Sequence, residues 1–521
     1  MHYDVCIVGA GVGGGALALS LAETGKKILL LNRLGSLPRE AANWDPEALF
    51  VDGKYKADET WTDAQTGETF NPGMWYWLGG NTKVYGSALL RLRPEDFEEL
   101  QTLDGLSPAW PLAYEDLAPY YDRAEALYHV HGKRGSDPFE PPAPGGFPHG
   151  PIEHAPRIAE VARGLQASGV QAFELPMGVK MSEENPGSGP FILRETFEAM
   201  GHAAFDGYPD LLHLKCDAEV ATVKPAAAFD NVTLVTGADV TRLVTDASGR
   251  TVTAVEATVE GEAQTFTADT FALCAGAVNS AALLLRSASE QHPEGLANAS
   301  GAVGRHFMRH VTSKFYTVAS GTPNPTQFQK TLAVNDFYFG VPGDPEWEST
   351  PLGHIHLMGK HAWWQIKQDL AEGTFSDDEL RQIAAHSVDW WVQGEDLPLA
   401  ENRITLGPDG GIQLAYTETN RAAQEKLMDV LEQALRASGF DRFIRVPMPL
   451  GVVNHQCGTC RMGEDPATSV VDVTGKAHDL DNLYIADASV FPSSGATNPT
   501  LTIVANALRV ADHLREACGL A

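Results

Sequence analysis

Apolar residues at the start of the chain form two runs of strand length, separated by a stretch with helical spacing. Residues 3–8 form the first run and residues 28–31 form the second. Between them, Leu17 and Leu21 lie four positions apart among small residues, and Gly25 is a typical helix stop. The pattern therefore predicts a strand, a helix and a strand, which is the beginning of a βαβ unit.

The middle of the chain changes to an alternating pattern. Apolar positions alternate across residues 220–271, which predicts antiparallel strands with a turn at Ser248-Gly249. Residues 271–276 predict another buried strand, and a helix is expected to begin at 281–285. Strands and helices thus share the chain, which predicts an α/β protein.

Other stretches predict loops or a pocket wall. Residues 39–77 are polar and predict mostly loop, whereas 108–128 predict a loop followed by a helix. The Pro- and Gly-rich residues 138–150 predict a boundary or an exposed excursion. Residues 310–445 contain many of the tryptophans and no dinucleotide-binding signal, so we interpret them as the wall of a substrate pocket.

Composition and charge exclude several classes of partner. A chain of 521 residues is long enough for two domains, and 43% hydrophobic and 20% charged residues are ordinary for a globular protein. A formal charge of −30 repels phosphates, which argues against nucleic acid and anionic membranes as partners. A small molecule is the expected ligand.

Sequence features also indicate a location. Residues 3–8 already predict a strand, which leaves no room for a targeting segment, and no apolar stretch has the length of a membrane span. Six scattered cysteines, several in apolar runs, fit reduced thiols better than a disulfide framework. They are Cys6, Cys216, Cys274, Cys457, Cys460 and Cys518. We therefore expect a cytoplasmic protein.

A glycine-rich turn follows the first predicted strand. Gly9, Gly11 and Gly14 have the spacing that lets backbone N–H groups approach a pyrophosphate at a helix N-terminus. The carboxylate expected after the second strand is replaced by Asn32, which can still hydrogen-bond a ribose hydroxyl. Arg33 beside it keeps a phosphorylated nicotinamide cofactor among the alternatives.

Polar residues near the C-terminus suggest alcohol oxidation. In a motif that begins at Asn454, His455 precedes a Gly458-Thr459 turn, and Asn498-Pro499 follows further along. A neutral imidazole can take a hydroxyl proton near neutral pH, and an asparagine amide can orient the same hydroxyl. We interpret His455 as the base and Asn498 as the orienting group.

Asn498-Pro499 also predicts the start of a helix. Asparagine is a good N-cap, and proline is favoured at the first helical position. Val504, Leu508 and Ala511 then follow with helical spacing. Capping alone would explain the pair, and both roles can hold together.

Two other groups of residues have a chemical and a structural interpretation. Cys457-x-x-Cys460 is weak evidence for dithiol or metal chemistry, because no second pair accompanies it. His354, His356 and His361 suggest a metal site, but alternation on a strand explains the first two more simply.

Two tryptophan pairs complete the candidates. Trp363-Trp364 and Trp390-Trp391 would suit aromatic platforms against sugar rings. Core packing is the favoured interpretation for both pairs.

Five stretches, in this order and spacing, resemble the glucose–methanol–choline family of flavin oxidoreductases over nearly the whole chain. They are residues 9–14; residues 79–86; residues 232–244 beside 275–280; residues 303–306; and the regions of His455 and Asn498. Within the family, residues 79–85 and the C-terminal region look most similar to bacterial pyranose oxidases and glycoside 3-oxidases.

The resemblance implies a fold and a division into domains. It implies a Rossmann-like FAD-binding domain of discontinuous segments and a substrate domain whose antiparallel sheet faces the isoalloxazine. The FAD-binding segments are 1–40, 75–95, 205–310 and 450–521. The substrate domain and its excursions are 41–74, 96–204 and 311–449.

The resemblance also implies the residues that hold FAD. They are Gly9, Gly11, Gly14, Asn32, Gly80, Asn81, Thr82, Tyr85, Val240, Ala275, Gly276, Asp487, Ala488, Pro499 and Thr500. Some relatives attach the flavin through a histidine in the loop at 80–85, where this chain has Val84. Because valine has no nucleophilic nitrogen, we expect the FAD to be noncovalent.

Finally, the resemblance implies oxidation of a secondary hydroxyl on a sugar or glycoside, at ring C3 or C2. His455 and Asn498 would be the catalytic pair, and oxygen or a quinone-like acceptor would reoxidise the flavin. A sterol or aliphatic alcohol oxidase, a hydroxynitrile-lyase-like protein and a nicotinamide dehydrogenase remain alternatives. An oligomer is possible.

Overall fold

The computed structural model describes residues 1–180, 204–453, 455–517 and 519. Two residues of the sequence interpretation, Asn454 and Cys518, lie outside the described residues. Parts of the predicted domain segments 96–204 and 450–521 also lie outside the described residues.

A seven-stranded sheet carries the glycine-rich loop. Its strands are β1 (His2–Val8), β2 (Ile28–Leu31), β10 (Val232–Val235), β11 (Ala238–Thr245), β12 (Val252–Val259), β13 (Glu262–Leu273) and β21 (Leu483–Ile485). They lie in the order β10-β2-β1-β13-β12-β11, with β21 also paired to β13. β1 and β2 pair in parallel across the helix α1 (Val12–Ala22), so the predicted βαβ unit is confirmed.

The prediction of antiparallel strands throughout 220–271 is wrong in part. β11, β12 and β13 form the expected antiparallel meander. In contrast, β10 pairs in parallel with β2, and residues 219–227 are helical. β10 lies at the edge of the sheet beside β2, and that distant partner sets its direction.

A six-stranded antiparallel sheet forms the second layer. In spatial order its strands are β20 (Arg442–Pro447), β14 (Val311–Val318), β17 (Ser387–Gly394), β16 (His354–Leu357), β15 (Leu332–Val334) and β8 (Ala172–Glu174). One face packs its apolar side chains on the helices α3 (Pro156–Ala167) and α8 (Arg421–Arg436). The other face carries histidines, a glutamine and a tryptophan.

The remaining elements surround these sheets. A mixed sheet contains β18 (Arg403–Leu406), β19 (Ile412–Ala415), β3 (Trp61–Asp63) and β4 (Thr69–Phe70). Two short antiparallel pairs are β5 (Leu100–Gln101) with β6 (Leu106–Ser107), and β7 (Val130–His131) with β9 (Met177–Gly178). The other helices are α2 (Tyr114–Leu127), α4 (Lys224–Ala227), α5 (Ala277–Arg286), α6 (Trp363–Asp369), α7 (Asp377–His386) and α9 (Thr500–Ala517).

The C-terminal helix joins the two ends of the chain, because α9 packs on α1 and α2. Residues 39–77 are largely loop, as predicted, with only short helical turns and the strands β3 and β4. Among the described helices, none is both long and apolar enough to cross a membrane. The fold is therefore α/β, with one mostly parallel sheet and one antiparallel sheet.

Candidate active site

The glycines of the first loop divide into two kinds. A Cβ at Gly9 or Gly14 would overlap backbone atoms, and Gly9 has a φ of +104°, so these positions need glycine for the fold. Gly11 differs, since a Cβ there would meet no protein atom within 4 Å. Gly11 precedes α1 directly, so it leaves open space at a helix N-terminus. Such a place suits the pyrophosphate of a dinucleotide.

A second loop lies against this space. The N–H of Gly79 donates to the Ala10 carbonyl at 2.9 Å, and a Cβ at Gly80 would lie 3.7 Å from the Cα of Gly11. Gly79 and Gly80 both have positive φ values, 90° and 59°. The structure thus brings Gly80 close to Gly11, although they lie 69 positions apart in the sequence.

The predicted side chains of this second loop hold its shape. The Oδ1 of Asn81 accepts from the Trp75 N–H at 3.1 Å, and Thr82 Oγ1 donates to the Gly79 carbonyl at 2.6 Å. The hydroxyl of Tyr85 donates to the Cys216 carbonyl at 2.5 Å. These side chains therefore fix the backbone that would lie along a flavin.

The amide of Asn32 links three parts of the chain. Its Oδ1 accepts from the Ala10 N–H at 3.0 Å, and its Nδ2 donates to the carbonyls of Leu34 and Tyr76. One lone pair of Oδ1 is left for a ribose hydroxyl. Asn32 thus positions the glycine loop as well as offering the predicted contact.

Arg33 is already engaged by the protein. Its guanidinium lies 2.9 Å from a carboxylate oxygen of Asp239, pairs with Glu59, and stacks 4.0 Å from the centroid of the Tyr76 ring. A guanidinium paired in this way is poorly placed to select the extra phosphate of a phosphorylated nicotinamide cofactor.

Asp487 joins the turn at Gly276 to the C-terminal region. Its carboxylate accepts from the N–H of Gly276, the hydroxyl of Ser280 and the N–H of Ser489, at 2.6–2.9 Å. Gly276 has a φ of +87°, and a Cβ there would meet no protein atom within 4 Å. The turn that includes Ala275 is therefore fixed beside open space.

Two other predicted residues, Ala488 and Val240, lie in separate elements of the structure. The carbonyl of Ala488 accepts from the N–H of Gly458, which follows His455 closely in the chain. Val240 lies in β11 and packs against the core of the seven-stranded sheet. The open spaces at Gly11 and Gly276, on one sheet, fit the FAD that the resemblance implies.

His455 has a histidine partner that its motif does not reveal. Its Nδ1 lies 3.0 Å from Nδ1 of His310, and Nε2 of His310 lies 3.2 Å from the Ser494 carbonyl. A carbonyl only accepts, so a neutral His310 carries its proton on Nε2 and its Nδ1 is an acceptor. His455 therefore donates from Nδ1, and its Nε2 is left unprotonated.

Both imidazoles are held in the neutral form. Burial lowers the pKa of His455 well below 6.5, and His310, His356 and Lys330 lower it further. Burial also lowers the pKa of His310 to about 4. A neutral His455 with a free Nε2 meets the requirements for a proton acceptor.

Asn498 does not cap the last helix. α9 begins at Thr500, and the carbonyl of Pro499 accepts the N–H of Ile503. The Oδ1 of Asn498 is buried and has no partner within the described chain, so the predicted capping bond is absent there. The amide is left available for a ligand at the N-terminus of the helix.

Side chains from distant elements fix the loop before Asn498. Nε1 of Trp110 donates to Oγ of Ser493 at 2.8 Å. The N–H of Ala496 donates to the Tyr338 hydroxyl at 3.0 Å, and its carbonyl accepts from Nε2 of Gln393 at 2.8 Å. Sequence reasoning missed these residues, because each is separated from the loop by about a hundred positions or more.

The two tryptophans of β17 have different environments. Trp390 is fully buried in the core behind the sheet. Trp391 points to the other face and is only partly buried, with its ring centroid 6.4 Å from that of His455. The core-packing interpretation therefore holds for Trp390, and Trp391 lines the site.

The other candidates of the sequence analysis, the cysteine pair and the three histidines, show no sign of dithiol or metal chemistry in the described chain. Cys457 and Cys460 are buried free thiols, and burial raises the pKa of both. His361 lies apart from His354, with Nδ1 2.7 Å from the Tyr316 hydroxyl. Within the described chain, no group of three or more His, Cys, Asp or Glu side chains is arranged to hold a metal ion.

Comparison with known proteins identifies relatives along the whole chain. Two models described as GMC oxidoreductase match residues 12–312 and 402–507. A 6'''-hydroxyparomomycin C oxidase of Streptomyces lividus is 31% identical, over 98% of this chain and 92% of its own. A paromamine 6'-oxidase of Streptomyces fradiae is 29% identical, over 98% and 90% of the two chains.

A solved structure has the same fold. The crystal structure of pyridoxine 4-oxidase from Mesorbium loti matches with a TM-score of 0.64 at 19% identity, covering 98% of this chain and 99% of that one.

Proposed function

Because the chain belongs to the GMC oxidoreductase family, whose FAD-linked members oxidise CH–OH groups, we propose that it oxidises a secondary hydroxyl of a sugar or glycoside. The proposed product is the ketone at ring C3 or C2. The relatives named as oxidases of paromamine and of 6'''-hydroxyparomomycin C support a sugar-like substrate.

His455 supplies the base. Its unprotonated Nε2 takes the hydroxyl proton while the carbinol carbon loses its hydride. Bound FAD supplies the acceptor for that hydride, and oxygen or a quinone-like acceptor would later remove the two electrons. The substrate thus loses one proton and one hydride, which balances its conversion to a ketone.

Asn498 orients the same hydroxyl. The hydroxyl gives its one proton to His455, so the Asn498 amide contributes Nδ2 as a donor to the hydroxyl oxygen. The buried Oδ1 of Asn498, which has no partner in the described chain, is left to accept from another donor of the ligand. His310 accepts a hydrogen bond from Nδ1 of His455 and so fixes the orientation and the tautomer of that ring. The hydrogen bond between His310 and His455, which leaves Nε2 of His455 unprotonated, is the observation that carries the proposal.

We also propose that FAD is held without a covalent bond. Val84, at the position where some relatives have a linking histidine, offers no nucleophile. Denaturing the yellow protein and filtering it should release all flavin into the filtrate, and flavin retained with the chain would contradict this.

The test of the function is an anaerobic titration of the flavin absorbance with glucose, a C-glucoside, an O-glucoside, paromamine, a sterol and an aliphatic alcohol. Bleaching by a sugar is the expected result, and the analysis of its product by NMR identifies C2 or C3. Bleaching only by the sterol or an aliphatic alcohol would overturn the sugar assignment. A yellow protein that no alcohol bleaches would point to the lyase-like alternative.

A further inference from the structure

We propose that Tyr338 is a positioning residue for the catalytic pair His455 and Asn498. Its hydroxyl holds the backbone segment 494–496, on which both members of the pair depend. The inference rests on the proposed function, and Tyr338 acts through the segment rather than on the reacting atoms.

The segment 494–496 connects the two catalytic side chains. At one end, the Ser494 carbonyl accepts from Nε2 of His310, and this bond sets the His310 tautomer that makes Nδ1 of His455 a donor. At the other end, the segment stops two residues before Asn498. A shift of this backbone would therefore disturb the proton acceptor and the orienting amide together.

The hydroxyl of Tyr338 is paired on both sides. A backbone N–H can only donate, so the Tyr338 oxygen accepts from the N–H of Ala496 at 3.0 Å. Its own proton is then donated to the carboxyl group of Asp96, whose oxygens lie at 3.0 and 3.1 Å. One of these oxygens also accepts from the N–H of Arg93 at 2.7 Å. Hydrogen bonds thus link Asp96 through Tyr338 to Ala496.

Burial and a cation hold the Tyr338 ring in place. Tyr338 is 2% exposed and Asp96 is 4% exposed. The guanidinium of Arg93 stacks 4.3 Å from the centroid of the Tyr338 ring and pairs with Asp137 at 2.9 Å. The hydroxyl is therefore presented to the segment from a fixed position.

A close approach at Gly495 brings Asp96 and its neighbour against the segment directly. Gly495 has a φ of +56°, and a Cβ built there would lie 2.6 Å from Cδ2 of Leu92 and 3.6 Å from Cγ of Asp96. Glycine is needed for this fit. Residues 92–96 thus support the segment by packing as well as through Tyr338.

Other contacts of the segment do not replace this hydroxyl. Gln393 donates to the Ala496 carbonyl, and the N–H of Asp396 donates to the Ser494 hydroxyl. In the described part of the chain, the N–H of Ala496 has no acceptor besides Tyr338. Because an unpaired buried N–H is costly, removal of the hydroxyl should make the backbone move.

The test measures anaerobic flavin reduction in Tyr338→Phe by stopped-flow absorbance, with a sugar that bleaches the wild-type flavin. The variant keeps the ring and loses both hydrogen bonds. We expect the limiting rate of reduction to fall about tenfold, because a small displacement of catalytic groups is costly. The half-saturating sugar concentration should stay nearly unchanged. An unchanged limiting rate would overturn the positioning role.

Tyr114→Phe is the matched control. Tyr114 is also buried, and its hydroxyl accepts from Arg91 at 3.1 Å and donates to the Pro142 carbonyl at 2.7 Å. Neither partner belongs to the segment 494–496, so this variant should reduce its flavin at the wild-type rate. Equal losses in Tyr338→Phe and Tyr114→Phe would mean that the rate reports lost stability, and the proposal would fail.

Variants of Asp96 and His310 test the path of the effect. Asp96→Asn keeps an acceptor for the Tyr338 hydroxyl and should retain most of the rate, whereas Asp96→Leu should approach the loss in Tyr338→Phe. Tyr338→Phe should also slow a His310→Phe protein less than it slows wild type, because part of its effect passes through His310. Equal slowing in the two backgrounds would overturn the link to His455.

The remaining outcomes separate the positioning role from the function. If Tyr338→Phe loses its flavin, Gln393→Leu decides, since it removes the donor to the Ala496 carbonyl and should show the same loss and the same coupling to His310→Phe. Their absence would overturn the role of the segment. If no alcohol bleaches the wild-type flavin, the proposed function fails and the positioning role falls with it. If sugars bleach it and Tyr338→Phe matches wild type, only the positioning role is overturned.

Discussion

The two sheets serve the reaction in different ways. The seven-stranded sheet offers backbone and empty space, at Gly11 and Gly276, to a cofactor. The six-stranded sheet contributes side chains to the candidate site, among them Trp391 beside His455. A binding site formed by backbone groups depends on a few nearby glycines, so it can be recognised from a local pattern in the sequence. A side-chain site assembled from several strands leaves none.

Removal of the proposed base should have the largest effect. His455→Ala should leave a folded, yellow protein in which substrate reduces the flavin about 10²–10⁴-fold more slowly. Stopped-flow absorbance under anaerobic conditions measures that rate. A near wild-type rate in a variant with a full complement of flavin would refute the assignment of His455.

Removal of its partner should have a smaller effect on the same step. His310→Phe removes the acceptor for the His455 Nδ1 proton, so the wrong tautomer and other ring orientations become populated. We expect reduction to slow by about 10–100-fold, the loss typical when a group that orients a metal-ligating histidine is removed. The half-saturating substrate concentration should change little.

A matched variant separates positioning from packing. In His310→Asn, Oδ1 can accept near the place of Nδ1, and part of the rate should return. If Asn and Phe slow the reaction equally, His310 acts through packing rather than through its hydrogen bond.

The two kinds of glycine can be compared in the same way. Gly11→Ala adds a methyl group only to the cofactor space, so it should weaken FAD binding about tenfold without lowering the melting temperature of the apoprotein. Gly14→Ala places a Cβ against the Gly9 carbonyl and should lower that melting temperature by several degrees. Flavin titration and thermal unfolding measure the two effects. Equal effects of both variants on stability would contradict this division.

The sequence was a good guide where the chemistry is local. The βαβ unit, the glycine loop and the position of α9 follow from patterns within about 30 residues. The parallel pairing of β10 was missed because its partner β2 lies about 200 positions away, and alternation alone cannot tell the direction of pairing.

The candidate site shows the same limit. His455 and Asn498 stand in recognisable motifs, but the contact between His310 and His455 spans 145 positions. His354 and His356 were considered only as possible metal ligands or as strand alternation. The strand alternation holds in the structure, where both histidines lie in β16, opposite Gln393 and Trp391 of β17.

The smallest expected effect is that of pH on flavin reduction. An ordinary histidine base with a pKa near 6.5 would lose about fourfold in rate at pH 6, because about three quarters of it would be protonated. Burial keeps the pKa of His455 well below that value, so the rate should stay level from pH 8 to pH 6 and fall only in more acidic solution. A fourfold loss at pH 6 would contradict a neutral, buried base.

Stability should respond to the same histidines. Unfolded histidines take up protons near pH 6.5, whereas folded His310 does so only near its pKa of about 4. Between these values the unfolded state binds more protons, so the free energy of unfolding should fall as the pH is lowered from about 6.5 to about 4. Denaturant titrations across this range measure the slope. His310→Phe should reduce it, since that variant has one fewer buried imidazole to protonate on unfolding.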